Sequence, residues 1–100
     1  MDRDTIELVI KIKAKPDNWR DGNFGITVYD RCDSTVFLNE GLDALQLTQT
    51  WLHEMMEAVK RAYGGEMDEK WFDILAKPIA QALIDTGWDA RVMLGRTVKA

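Results

Sequence analysis

Ile6, Leu8, Ile10 and Ile12 alternate with Glu7, Val9, Lys11 and Lys13, and from about Leu42 the apolar period lengthens to that of a helix. A period of two places one row of side chains on each face of a strand, whereas a period near 3.6 collects them on one stripe of a helix. That single change of period constrains the fold more than any other feature. It predicts strands first and helices second, and so an α+β architecture rather than alternating βαβ units. With 100 residues, 46% of them hydrophobic, the chain suffices for one domain spanning 1–100 around one core.

Turn chemistry divides the first half. Pro16-Asp17-Asn18 and Asp21-Gly22-Asn23 bracket Trp19 in a loop. Phe24 to Tyr29 and Thr35 to Leu38 read as two further short strands, joined through Asp30-Arg31-Cys32-Asp33-Ser34. The expected sheet has three strands. In the second half, Leu45, Leu52, Met55, Met56, Val59 and Tyr63 form the expected buried stripe of the first helix, with Gly64-Gly65 as its stop. Asp68 is placed to accept from the first-turn N–H groups of a second helix, and Glu69 lies at its positive dipole end. The apolar face of that helix is expected to be Phe72, Leu75, Ile79 and Leu83, with Trp71 and Ala76 beside it and Gly87 as its end. Pro78 removes one backbone hydrogen bond and is expected to kink or split it. In the tail, Val92-Met93-Leu94 either adds a short strand or caps the core.

Composition excludes several roles. A net charge of −4 argues against a nucleic-acid binder, because such affinity rests on Lys and Arg neutralising phosphates. Residues 21–85 carry 12 acidic and 5 basic side chains, a field that suits a cation or a basic partner. No apolar run approaches the ~18–20 residues of a membrane span. The single cysteine, Cys32, and the lack of a charged-plus-apolar opening segment lead to the expectation of a cytoplasmic protein. Cys32 itself reads as a surface or partly buried thiol. Of the four tryptophans, Trp51 and Trp71 are expected in the core, while Trp19 and Trp88 flank turns as exposed anchors for a partner or a dimer contact.

The chemistry-bearing run is Trp51-Leu52-His53-Glu54-Met55-Met56-Glu57-Ala58-Val59, which holds the only histidine. In His-Glu-x-x-His helices two imidazoles on one face ligate zinc and the glutamate polarises the metal-bound water. Here Glu57 occupies the second histidine position, on the same helical face as His53 at i+4. The same residues also fit a solvated polar face, on which His53, Glu54, Glu57, Lys60 and Arg61 lie opposite the apolar stripe.

The chain resembles the minimal zincins of phages and prophages, relatives of the metallopeptidases that act on phage repressors. The residues that carry the resemblance are Gly25-Ile26-Thr27-Val28-Tyr29-Asp30, the strand Thr35-Val36-Phe37-Leu38-Asn39, the run from Thr50 to Val59, and Glu69-Lys70-Trp71-Phe72-Asp73-Ile74-Leu75-Ala76, which follows the pattern of a ligand-bearing helix. The resemblance implies a zincin-like sheet packed against a motif helix and a C-terminal helix. It also implies His53, Glu57 and Glu69 as metal ligands and Glu54 as the general base. A ligand set of one imidazole and two carboxylates is harder than the usual one, which makes manganese or iron alternatives to zinc. Two functions follow. One is a zincin-like protein with a degenerate site and no metal, which acts by binding a protein partner as monomer or homodimer. The other is an active metal-dependent peptidase on a peptide substrate.

Overall fold

A computed structural model describes residues 8–16, 24–30, 33–64, 66 and 68–99. The expectations for Ile6, Trp19, Cys32, Gly65 and the turns at 17–23 lie outside the described residues. Four strands form one mixed sheet: β1 (Val9–Ala14), β2 (Gly25–Asp30), β3 (Asp33–Leu38) and β4 (Thr97–Lys99), in the order β2-β3-β1-β4. β1 runs parallel to β3 and antiparallel to β4, and β2 pairs antiparallel with β3. The alternation read in the sequence has a direct outcome here. Ile10 lies opposite Ser34 and Ile12 opposite Val36, all on the inner face, whereas Lys11 and Lys13 point to the other face and are exposed. Leu8, Leu38, Leu42, Leu47, Ala58 and Ala90 complete the core around them.

The first helix, α1 (Ala44–Tyr63), starts where the Asp43 carboxylate accepts from the Gln46 N–H at 2.8 Å. It stops at Gly64, whose φ of 70° lets its N–H reach back to the Lys60 carbonyl. The second, α2 (Lys70–Asp85), opens with Asp68 accepting from the Lys70 N–H at 3.1 Å, as the sequence predicts. Its end is a paired cap: Gly87 donates to the Ile84 carbonyl and Trp88 to that of Leu83, with Gly87 at φ 88°. The helix runs through Pro78 as one element. Pro78 sits on its exposed side, where the freed carbonyl can meet water.

Both helices lie on one face of the sheet, but in separate layers. α1 packs on β2 and β3, and α2 packs on α1. This layering changes which residues are inside. The α2 side chains turned inward are Phe72, Ala76 and Ala80, while Trp71, Leu75 and Ile79 are 40–47% exposed. Likewise the buried row of α1 is Leu47, Thr48, Glu54 and Ala58 rather than the Leu52-Met56-Val59-Tyr63 stripe. Two nearby apolar faces of a helix cannot be told apart by period alone when a third layer follows. Trp51 packs as expected, tilted against Trp88 at 5.3 Å, so Trp88 also belongs to the edge of the core.

Of the two options for Val92-Met93-Leu94 the tail takes the core cap, and a strand forms only beyond it, at Thr97–Lys99. Ala90–Met93 form a 3₁₀ turn, Met93 and Leu94 pack on the core, and the added strand is β4. The Ala90 N–H donates to the buried Thr48 hydroxyl at 3.0 Å and the Arg91 guanidinium to the Leu42 carbonyl at 2.6 Å, which ties the turn to α1 and to the segment just before it. Among the described residues no helix is long and apolar enough to cross a membrane.

Candidate functional site

β2 exposes its apolar residues and turns its small and polar ones inward. Phe24, Ile26 and Val28 are 40–52% exposed, whereas Gly25, Thr27 and Tyr29 face α1. Their partners on α1 are Thr50, Glu54 and Glu57, which follow one another at helical spacing along one flank. At Gly25 the two elements touch. A Cβ there would lie 2.7 Å from the Thr50 Cγ2 and 3.1 Å from the Phe37 carbonyl oxygen, so this approach requires glycine.

One turn along, the Thr27 hydroxyl donates to Glu54 Oε2 at 3.1 Å. Glu54 is only 8% exposed, and burial pushes its carboxyl above the ordinary range. The Thr27 hydrogen bond and the charge of His53 act against that rise, and the charge of Glu69 adds to it. The next turn repeats the pattern. The Tyr29 hydroxyl donates to Glu57 Oε2 at 2.9 Å. Burial first, then the hydrogen bond to Glu57 and the charge of that carboxylate, push the Tyr29 phenol up to about 12. The Arg61 guanidinium lies over the Tyr29 ring, 4.5 Å from its centroid. The polar flank of α1 is therefore a seam against the edge strand, not the solvated face that amphipathicity alone suggests.

A second seam joins α1 to the start of α2. His53 Nδ1 and Asp73 Oδ1 are 2.9 Å apart. The Phe72 ring inserts between His53, which meets it edge-on at 5.7 Å, and Lys60, whose ammonium lies 5.8 Å from the ring centre. Lys60 also stands 3.9 Å from Glu69. The Glu69 carboxyl is raised, chiefly by a hydrogen bond with Glu57 and by the charge of that group, while Lys60 and His53 lower it.

Between the two seams opens a cleft of about 500 Å³, lined by Phe24 just before β2 and Gly25 at its start, by Gln46, Gln49, Thr50, His53 and Glu54 of α1, and by Asp73 of α2. The residues singled out in the sequence thus divide. His53 and Glu54 line the cleft; Glu57 meets Tyr29 and Glu69 stands near Lys60. Each donor of the implied set has a protein partner at one atom: His53 Nδ1 meets Asp73, Glu57 Oε2 accepts from Tyr29, and Glu69 Oε1 stands 3.9 Å from Lys60. Among the described residues no three His, Cys, Asp or Glu side chains converge to hold an ion.

Three participants escaped the sequence reading. Asp73 carried a signal, since it lies one turn after Glu69 and so shares its face. Thr27 and Tyr29 carried a fainter one, the alternation Gly25-Thr27-Tyr29 against Ile26-Val28, which marks a strand with a polar inner face. Comparison with known proteins gives no match, whether to a family model, a curated protein or a solved structure.

Proposed function

We propose that this protein is a zincin-like binding protein that holds a partner as an extended segment along β2 and across the neighbouring cleft. The observation that carries this reading is the seam of Thr27 on Glu54 and Tyr29 on Glu57. It uses the carboxylates of the motif to fix α1 to the edge strand, so that the motif helix forms the wall of a binding site. β2 stands at the edge of the sheet. The Phe24 carbonyl accepts from the Asn39 N–H of the partner side, and in an antiparallel pair the backbone groups then alternate. Those of Gly25, Thr27 and Tyr29 point to the open edge, where an added strand would find them. Glu54 and Asp73 at the cleft, within an acidic segment, favour a partner segment with basic side chains. Such a protein would act stoichiometrically, in the cytoplasm, as a phage-type relative of the metallopeptidases it resembles.

One observation favours the alternative of hydrolysis: Glu54 lies at the cleft with a raised carboxyl, as a general base requires. Peptides selected from a random library on the immobilised protein, once with a chelator and once with added zinc, manganese or iron, separate the two readings. The binding reading expects intact bound peptide and slowed hydrogen exchange at the Gly25, Thr27 and Tyr29 amides. Cleavage that stops in Glu54→Gln, or protection confined to another surface, contradicts it.

A further inference from the structure

α2 is apolar around more than half of its circumference. Phe72, Ala76 and Ala80 face α1, and Lys70, Asp73, Lys77 and Gln81 form one polar stripe. The remaining flank carries Trp71, Ile74, Leu75 and Ile79, exposed by 47%, 53%, 40% and 44%. A helix of this kind is ordinarily buried. Here it forms the outermost layer, and its main packing among the described residues is on α1. Beside the flank, Leu52, Met55, Met56, Val59 and Tyr63 of α1 form with Leu75 a groove of about 400 Å³. Val59 and Tyr63 are 41% and 55% exposed, and Leu75 belongs to both ridge and groove.

We infer that this flank is the interface of a homodimer, in which the Trp71-Ile74-Leu75-Ile79 ridge of each protomer lies in the α1/α2 groove of its partner. A ridge and a groove side by side on one chain are what an isologous contact needs, because a two-fold axis between them fills both grooves at once. The area agrees. The six exposed side chains of ridge and groove present on the order of 500 Å² per protomer, at the upper range for the largest apolar patch of a monomer. Two copies bury ~1,000 Å², the size at which contacts become specific, before any rim is counted. The charges agree as well. The whole chain carries −4, but the charged residues of α2 are Lys70, Asp73, Lys77 and Asp85, two of each sign, and the groove adds only Lys60, so two copies meet there without the repulsion of the whole chain's charge. This surface is separate from the cleft and from β2.

The test is sedimentation equilibrium of the full chain from about 1 to about 100 µM, a range that spans ordinary homodimer affinities. The expected result is twice the chain mass at the upper concentrations, with dissociation strengthened at least about tenfold by Ile74→Asp and unchanged by Gln81→Asp on the polar stripe. Circular dichroism should show both variants folded; should Ile74→Asp lose structure, Trp71→Gln at the same flank gives the same readout. A monomer at every concentration overturns the inference and leaves the flank to a different protein. A dimer that tolerates both Ile74→Asp and Trp71→Gln also overturns it.

Discussion

Thr27→Val replaces a hydroxyl by a methyl of nearly the same shape and leaves the buried Glu54 carboxylate without the donor that now sits 3.1 Å from its Oε2. A hydrogen bond to a charged acceptor contributes about 1.5–3 kcal/mol, and the buried acceptor left unpaired sets the loss toward the middle of that range, about 2 kcal/mol at neutral pH. For a chain of this size that is a fall of roughly 8–16 °C in melting temperature. The pH dependence is the sharper signature. The folded-state pKa of Glu54 lies above the ordinary 4.5, so between those two values the folded protein binds the proton more tightly than the unfolded chain. Native stability therefore falls as pH rises through that window. Because the Thr27 hydroxyl lowers the Glu54 value, its removal raises it further and extends the window upward. Below the ordinary value the carboxyl is protonated in both states, and the loss shrinks to about 1 kcal/mol or less, that of a neutral hydrogen bond. Urea unfolding of both proteins from pH 4 to pH 8, with the Glu54 carboxyl followed by carbon NMR, measures each quantity. In a Glu54→Gln background the pH dependence of the difference should vanish. Equal losses at pH 4 and pH 8, or a Glu54 pKa that falls in Thr27→Val, would refute the reasoning.

Two further expectations concern the same seam. Gly25→Ala drives a methyl into Thr50 Cγ2 at 2.7 Å and should cost about 1–3 kcal/mol by denaturant unfolding; Thr50→Ser, which removes that methyl, should restore part of the loss, and an unchanged Gly25→Ala protein would show that β2 does not approach α1 closely. In a Tyr63→Phe protein, ultraviolet titration should find the Tyr29 phenol ionising near 12, and Glu57→Gln should lower that value by removing the negative charge beside the phenol while leaving an amide oxygen to accept. The sign follows from linkage: the folded state holds the phenolic proton more tightly, so stability declines as pH climbs from 10 toward 12.

The sequence foretold local structure well and layer order poorly. The Asp68 and Gly87 helix ends, the alternation through Ile10 and Ile12, and the helical run from Ala44 to Tyr63 all depend on residues within one or two turns of each other, and the structure contains each of them. The identity of the buried faces depends on what lies across the gap. Once α2 stacks on α1 and not on the sheet, Leu75 and Ile79 turn outward, and the polar flank with Glu54 turns in to meet Thr27. The candidate site shows the same division. His53 and Glu54 were legible because their spacing on one helix fixes their relation, whereas Asp73, Thr27 and Tyr29 join them only through tertiary contacts between elements that sequence spacing does not align.

The most direct test of the central claim, a binding wall rather than a hydrolytic metal centre, is elemental analysis of protein purified without chelator or histidine tag, paired with thermal melts on adding zinc, manganese or iron. The account predicts no stoichiometric metal and an unchanged melting temperature, because it gives Glu54 and Glu57 to the seam with Thr27 and Tyr29 and finds no three ligating side chains converging among the described residues. About one equivalent of a divalent metal that stabilises the fold and disappears in His53→Ala would contradict it.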